Sequence, residues 1–183
     1  MQEYIDLGHM KAIQGKTKEM ECCHYLLHHG VWKESSSTTK LRVVFNGSQR
    51  TSRGVSLNSK LHTGANLLPD LGDVVSRLRG YRFVFTADIE KMFRQILVDE
   101  RDQNLQNILW RFNVNDPLLS YRLQTLTYGL VCSPFLAIRC IRQLALEEGH
   151  AFPLAVPVLL EEIYMDDRST GYLLHWTQLL QKS

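Results

Sequence analysis

The sequence predicts an α+β domain in which helices lie on one face of a mainly antiparallel sheet. The first observation is the order of patterns along the chain: strand, helix, strand, two strands, helix, and strand-turn-strand. The second is size and composition, because 183 residues with 44% hydrophobic and 22% charged side chains can bury a core without disulfides or metal ions. The third is that no apolar run approaches the roughly 18 residues of a membrane helix. We therefore expect a globular chain that makes no membrane contact.

The first predicted elements are a strand and a helix separated by a long loop. Residues 41–48, LRVVFNGS, have a β-branched and aromatic centre followed by the Asn46-Gly47 turn signal. The polar stretch 47–65 predicts a loop. From Asn66 onward, apolar residues recur at helical spacing until Gly80 supplies a stop, which predicts a helix.

Further strands are predicted beyond this helix. The segment 81–89, YRFVFTADI, alternates like a strand buried on both sides and carries Asp88 at its carboxyl end. Residues 107–112 and 121–129 predict two strands around a turn. The Val, Ile and Tyr content of 158–165 predicts a final strand that leads directly into a turn.

The second predicted helix begins at Ser133. A hydroxyl residue followed by Pro134 is typical of a capped helix start with proline in the first turn. Apolar residues then trace one face until Gly149. This segment is the clearest helix pattern in the chain.

The cysteines and the N-terminal residues predict an intracellular protein. The four cysteines (Cys22, Cys23, Cys132 and Cys140) do not form the spacing of a disulfide framework. The segment ECCHYLLHH could be taken for a zinc site, but no second ligand pair follows at finger-like spacing, which favours a short amphipathic segment. The first ten residues have neither a basic start nor an apolar signal core.

The net charge of +2 is unevenly distributed. The window 33–60 contains six cations and one anion, for a net charge of +5, whereas 147–167 contains six anions and no Lys or Arg. The basic window suits phosphate groups and the acidic window suits cations. Ordinary solvated surfaces are the alternative for each window.

Two acidic positions predict a divalent-cation site. Asp88 ends one predicted strand, and the adjacent pair Asp166 and Asp167 begins the turn after another. If those strands are neighbours, the carboxylates meet at one end of the sheet, where hard cations such as Mg²⁺ would relieve their repulsion. Two such ions can activate a hydroxyl and stabilise the leaving oxygen of a phosphoryl transfer. Neighbouring acids on a solvated turn are the alternative.

Three motifs, in order, carry a family resemblance. The segments TADIEKMFRQI, TYGLVCSPFLA and YMDD resemble the palm of a retroelement reverse transcriptase. The wider strings STTKLRVVFNGSQRTSRGVSLN and LLEEIYMDDRSTG resemble the BEL/Pao class of long-terminal-repeat retrotransposons. The resemblance covers about residues 20–171, nearly the whole chain.

The resemblance implies a division of the chain. An N-terminal segment, 1–20, precedes a partial fingers lobe over 21–80 and a palm over 81–171 that carries the aspartates. Residues 172–183 form a truncated or divergent tail, and the thumb of the family is missing.

The resemblance also implies catalytic and metal-binding residues. Asp88 corresponds to the first metal-ligating aspartate, Asp166 to the second, and Asp167 to the third member of the family triad. These three residues would hold two Mg²⁺ or Mn²⁺ ions.

Seven further residues are implied to bind substrate. Lys40 and Arg42 match cations of the fingers that bind the incoming triphosphate. Phe93 matches the aromatic gate that excludes a ribose 2′-hydroxyl, with a simple core aromatic as the alternative. The others are Tyr128 and Gly129 at the turn that floors the nucleotide pocket, Met165 near the primer end, and Gln95, whose role is less defined.

The implied function is that of a fragment of an RNA-directed DNA polymerase from a retrotransposon polyprotein. Its partners would be an RNA or DNA template-primer, deoxynucleoside triphosphates and the remaining polyprotein domains, in the cytoplasm or the nucleus. The alternative is a degenerate or domesticated chain that is catalytically inactive and binds nucleic acid.

Overall fold

The computed structural model describes residues 1–13, 23–34, 41–84 and 89–164, and its architecture is α+β with antiparallel sheets. This confirms the predicted class. The four helices and five strands in these residues are α1 (Gln2–Asp6), β1 (Met10–Ala12), β2 (Leu27–Trp32), β3 (Leu41–Asn46), α2 (Leu71–Leu78), β4 (Asn107–Trp110), β5 (Leu119–Leu123), α3 (Ser133–Glu148) and α4 (Ala155–Glu161). Two 3₁₀ turns, Met92–Gln95 and Gln103–Gln106, precede β4.

The chain divides into two compact units. Unit 1 combines Met1–Thr63 with Phe93–Ser133, and unit 2 combines Gly64–Met92 with the chain from Pro134 onward. Unit 1 therefore holds all five strands. Unit 2 holds α2, α4 and the part of α3 that follows Ser133. The predicted assignment of fingers to 21–80 and palm to 81–171 stays a prediction.

Unit 1 contains a three-stranded antiparallel sheet in the order β1-β5-β4 and a separate β2-β3 hairpin. Tyr121 of β5 lies between Ala12 of β1 and Ile108 of β4. In the hairpin, His28 is opposite Phe45. The hydrophobic cluster that joins these strands comprises Tyr4, Met10, Leu26, Phe45, Leu57, Ile108, Tyr121, Leu123 and Leu130.

The regular secondary structure in the described part of unit 2 is helical. Asp70 is the N-cap of α2. Its carboxylate accepts hydrogen bonds from the backbone N–H groups of Gly72 at 2.7 Å and Asp73 at 3.2 Å. Arg77 of α2 makes an ion pair of 2.9 Å with Glu161 of α4. The Arg77–Glu161 ion pair thus connects α2 and α4 through exposed polar groups.

Several predicted elements are confirmed. The strand predicted over 41–48 is β3, and the helix predicted after Asn66 is α2, although it begins only at Leu71. Both predicted strands around the turn exist as β4 and β5. The predicted second helix is α3, with Pro134 in its first turn.

The start of α3 differs from the prediction in one detail. The Ser133 hydroxyl donates to the carbonyl oxygen of Thr127 at 2.6 Å, six residues earlier in the chain. The buried hydroxyl thus fixes the preceding loop. The sequence predicts a local capping bond for this hydroxyl, whereas the bond that it donates is long-range.

Two strand predictions are wrong over described residues. The segment 158–165 was predicted as a strand, but Ala155–Glu161 forms α4. Short apolar runs do not distinguish strand from helix by periodicity. Pro157 is compatible with α4 because it lies in the first turn, where backbone N–H groups lack helical partners. Residues 81–84 form no strand, and the rest of that prediction, including Asp88, lies largely outside the described residues.

Strand β5 is also shorter than predicted. It ends at Leu123, so most of the predicted strand 121–129 is irregular apart from an isolated bridge at Thr125.

Among the described helices, none has the length and apolar character required to cross a bilayer.

Candidate functional site

The structure describes five of the ten predicted site residues: Arg42, Phe93, Gln95, Tyr128 and Gly129. All five belong to unit 1. The predicted metal-binding aspartates Asp88, Asp166 and Asp167 lie outside the described residues, as do Lys40 and Met165. The geometry below therefore concerns the predicted nucleotide pocket, and the metal site stays a prediction.

The rings of Phe93 and Tyr128 are in direct contact. Their centroids are 4.6 Å apart and their planes meet at 86°, an edge-to-face arrangement. Phe93 is buried, with 7% of its surface exposed, while Tyr128 is half-buried. Two residues predicted from separate motifs to line the nucleotide pocket thus form one aromatic pair.

Antiparallel pairing between the segment that follows Phe93 and the segment that precedes Tyr128 produces this contact. Leu97 forms an antiparallel bridge with Thr125. The N–H of Leu126 donates to the carbonyl of Ile96 at 2.8 Å. In an antiparallel pair, residues before the bridge on one segment lie beside residues after it on the other. Phe93 and Tyr128 consequently come together.

The turn at Tyr128 and Gly129 needs glycine at its second position. Gly129 has a φ of 88°, which is in the left-handed region that side chains disfavour. A Cβ at this position would also collide with the carbonyl group of Phe45, in β3. Gly47 is also closely packed, since a Cβ there would lie 2.8 Å from the Gly129 oxygen. The backbone of this turn therefore lies directly against the end of β3.

Asn58, which no sequence pattern predicted, holds the turn in place. Its side-chain Nδ2 donates to the carbonyl oxygen of Gly129 at 3.0 Å, and its Oδ1 accepts from the N–H of Val131 at 3.0 Å. Its own N–H donates to the carbonyl of Gly47 at 2.9 Å. The residue lies in the stretch predicted only as polar loop, and no local signal identifies it.

A second missed residue, Gln106, fixes the chain that leads to Tyr128. Its Nε2 donates to the carbonyl oxygens of Leu123 and Thr125, each at 2.9 Å. Its Oε1 accepts from the Thr127 hydroxyl at 2.9 Å. Gln106 is 2% exposed, so these bonds satisfy backbone groups that water does not reach. An isolated glutamine before an apolar strand gives no sequence signal for this role.

Arg42 and Gln95 lie on two different elements of unit 1. Arg42 is half-buried in β3 and lies opposite Val31 of β2. It lies three positions before Phe45, which corresponds to about 10 Å along a strand and places the two side chains on opposite faces. Gln95 is exposed at the end of the 3₁₀ turn that begins with Met92.

The thiol nearest in sequence to the turn is poorly suited to nucleophilic chemistry. Burial raises the pKa of Cys132, which lowers the fraction of reactive thiolate at neutral pH. Burial likewise lowers the pKa of His28, which packs against Phe45 and Trp110. Burial therefore disfavours the thiolate of Cys132 and the charged imidazolium of His28.

No metal-binding cluster of three or more His, Cys, Asp or Glu side chains occurs within residues 1–13, 23–34, 41–84 and 89–164. This range includes Cys23, His24, His28 and His29 of the zinc alternative, whereas Cys22 lies outside it. The range also excludes the three predicted metal-binding aspartates. The carboxylate donor set of the prediction still fits Mg²⁺ or Mn²⁺ by its chemistry.

Comparison with protein-family models finds none that matches the chain. Comparison with curated proteins likewise finds no match.

Proposed function

We propose that this chain is the fingers and palm region of an RNA-directed DNA polymerase, similar to those of BEL/Pao-type retrotransposons. It would transfer a nucleotide from a deoxynucleoside triphosphate to the 3′-hydroxyl of a primer. The contact between Phe93 and Tyr128 is the observation that carries this proposal, because residues predicted for one pocket from two motifs are 4.6 Å apart between ring centroids.

The described residues would form one wall of the nucleotide pocket. Gly129 has no side chain, so the backbone of its turn can approach both β3 and a bound nucleotide closely. The Phe93 ring is held edge-to-face by Tyr128, which restricts its rotation. A ring fixed in this way can exclude a ribose 2′-hydroxyl by steric contact.

The remaining roles belong to charged residues. Arg42 would bind the triphosphate through paired hydrogen bonds, because its planar guanidinium matches the geometry of phosphate oxygens. Asp88, Asp166 and Asp167 would hold two Mg²⁺ or Mn²⁺ ions. When bound, such ions supply activation of the attacking hydroxyl and stabilisation of the leaving oxygen.

A primer-extension assay tests the proposed activity. Purified chain is incubated with poly(rA), an oligo(dT) primer, dTTP and Mg²⁺, in parallel with Asp166→Asn. We expect the substitution to reduce synthesis by at least about 100-fold, a typical effect of losing a preorganised electrostatic group. Asp102→Asn is the matched control, because Asp102 is an exposed acid before the second 3₁₀ turn. Equal synthesis by the wild type and Asp166→Asn would contradict the proposal.

A second assay separates the gating role of Phe93 from simple packing. Phe93→Val should raise the ratio of ribonucleotide to deoxynucleotide incorporation if the ring lines the sugar pocket. Phe112→Val is the control, since Phe112 packs against Trp110 and Tyr121 and has no predicted pocket role. A loss of stability in Phe93→Val with an unchanged ratio would assign Phe93 to the core.

Binding measurements address the inactive alternative. A chain that binds poly(rA)·oligo(dT) in a salt-dependent manner, yet gives no synthesis with either metal ion, is a nucleic-acid-binding remnant. Asp166→Asn would then leave the affinity unchanged.

A further inference from the structure

An apolar groove lies between α3 and α4 in unit 2. Its volume is about 190 Å³, and almost all of its surface is apolar. The lining residues are Leu144, Ala145, Glu148, Gly149, Phe152, Ala155, Val156 and Leu159. A cavity of about 150 Å³ accommodates a benzene ring, so this groove has room for one large apolar side chain.

Gly149 and Ala145 shape the floor of the groove. A Cβ at Gly149 would lie 2.5 Å from a methyl carbon of Val156, so glycine lets the end of α3 approach α4 closely. Ala145 is buried beneath the groove. At the rim, Leu144 is 54% exposed and Phe152 is 65% exposed. Large apolar groups at the mouth of an apolar groove are typical of a surface that binds another molecule.

The charge beside the groove is strongly negative. Glu147 and Glu148 occupy the last turn of α3, where no basic residue is present. No Lys or Arg occurs anywhere in residues 143–164. The carboxyl end of a helix already carries a partial negative charge, and acids there are unfavourable while cations are favourable. The negative charges of these two exposed glutamates are therefore unfavourable next to the carboxyl end of the helix.

The contacts that Glu147 makes do not neutralise the negative charge at the end of α3. Glu147 accepts a hydrogen bond of 2.6 Å from the neutral amide of Gln143. Its backbone oxygen lies 3.1 Å from Nδ1 of His150. A cationic ligand would relieve the repulsion between the glutamates and the helix end. The same charge would repel nucleic acid and anionic lipid surfaces, which leaves a basic protein segment as the complementary partner.

We propose that the α3-α4 groove binds an amphipathic, lysine- or arginine-rich helix of another protein. One large apolar residue of that helix enters the groove, and basic residues on its flanks contact Glu147 and Glu148. Helix-in-groove recognition of this kind uses apolar anchors at i, i+3, i+4 and i+7. The inference depends on unit 2 alone and does not require the polymerase proposal.

Fluorescence anisotropy with a designed probe tests the proposal. The probe is a fluorescein-labelled peptide of about 15 residues with leucines along one helical face and lysines elsewhere. A second peptide has glutamates in place of the lysines. A third has the same leucines and lysines as the first in scrambled order, so that the leucines no longer share one helical face. With the full chain at low salt, we expect the first peptide to bind at least about tenfold more tightly than the other two.

Variants of the chain separate the two parts of the surface. Glu147→Lys with Glu148→Lys should weaken binding of the lysine peptide at least about tenfold and strengthen binding of the glutamate peptide. Leu144→Gln with Phe152→Ser should weaken binding of both amphipathic peptides. Leu146→Gln is the matched control, because Leu146 is 68% exposed on the same helix and does not line the groove. Circular dichroism melts establish that each variant folds.

Three results would overturn the proposal. The first is equal affinity for the lysine and glutamate peptides, or affinity unaffected by the groove variants. The second is binding that occurs only after residues 172–183 are deleted, which would assign the groove to the chain's own tail. The third is a concentration-dependent dimer that Phe152→Ser abolishes, which would assign the groove to a second copy.

Discussion

Asn58 and Gly129, 71 residues apart in sequence, are joined by a hydrogen bond of 3.0 Å from the Asn58 side-chain amide to the Gly129 carbonyl oxygen. The same side chain accepts from Val131 and donates to the Ser48 hydroxyl. One amide group thus connects the loop after β3 to Gly129 and to Val131 beyond it. The position of the predicted pocket wall depends on this connection.

Asn58→Ala should lower the free energy of unfolding of unit 1 by about 1–3 kcal/mol, because it leaves backbone groups without their partner. Asn66→Ala is the matched control, since the Asn66 side chain accepts one local bond from Leu68 in an exposed loop. Urea denaturation followed by tryptophan fluorescence measures both changes. Equal effects of the two substitutions would show that the long-range bonds contribute no more than a local turn.

Gly129→Ala should destabilise the chain more than Gly54→Ala. Both glycines have positive φ, 88° and 76°, so both substitutions incur a left-handed backbone cost of about 1–2 kcal/mol. A Cβ at Gly54 meets no atom within 4 Å, whereas one at Gly129 collides with the Phe45 carbonyl. The difference in urea midpoint between the variants therefore measures the close approach of the turn to β3. Indistinguishable midpoints would mean that the turn moves away from β3 at little cost.

Short sequence motifs predict the residues of the proposed pocket wall but not the residues that hold them in place. Phe93, Tyr128 and Gly129 were predicted from short motifs, and the structure places Phe93 beside Tyr128. Their neighbour Asn58 was not predicted, because its partners in the turn, Gly129 and Val131, are about 70 residues away and hydrogen bonding at that range leaves no local pattern. The same reason applies to Gln106, whose partners are 17 to 21 residues distant.

The elements were predictable where local signals agree. Helix α3 has both a first-turn proline and a helical apolar pattern, and it forms over Ser133–Glu148. The Val, Ile and Tyr content of 158–165 predicts a strand, whereas Ala155–Glu161 forms helix α4 with Pro157 in its first turn. Its ion pair with Arg77 of α2, through Glu161, is a tertiary contact that the pattern could not reveal.

Arg101 should control the ionisation of Asp99. The Arg101 side chain donates to both carboxylate oxygens, at 2.9 and 2.8 Å, and these bonds lower the pKa of Asp99 from 3.8 to about 2. Arg101→Gln should return this pKa toward 3.8, and Arg101→Lys should give a smaller increase because it retains the charge without the paired geometry. Carboxyl ¹³C chemical shifts measured against pH report the value directly.

The lowered pKa of Asp99 determines how its contribution to stability depends on pH. Because the folded pKa is depressed, the contribution of Asp99 is present above the unfolded pKa near 3.8 and is lost as the pH falls toward about 2. Wild type and Arg101→Gln should therefore differ in stability near neutral pH and converge at strongly acidic pH. A folded-state pKa near 3.8 in the wild type would contradict the proposed pairing.

Gln106→Glu should convert a buried structural amide into a pH-sensitive group. The Gln106 Nε2 donates to two carbonyl oxygens, and an ionised carboxylate there would face both oxygens without a proton to donate. Burial and this repulsion should raise the folded pKa of the new glutamate above its unfolded value of about 4.3. The protonated form can still donate to one carbonyl, so it preserves part of the network.

The stability difference from the wild type should consequently be small below about pH 4 and increase as the pH rises through the unfolded pKa, until it levels off above the folded pKa. Urea denaturation of both proteins between acidic and neutral pH measures this dependence. Gln49→Glu is the matched control, because Gln49 is exposed and its side chain makes a single bond of 3.4 Å, to the backbone oxygen of Arg50. A stability difference that stays constant with pH in Gln106→Glu would show that water reaches this position, and that the segment leading to Tyr128 is not fixed by a buried amide.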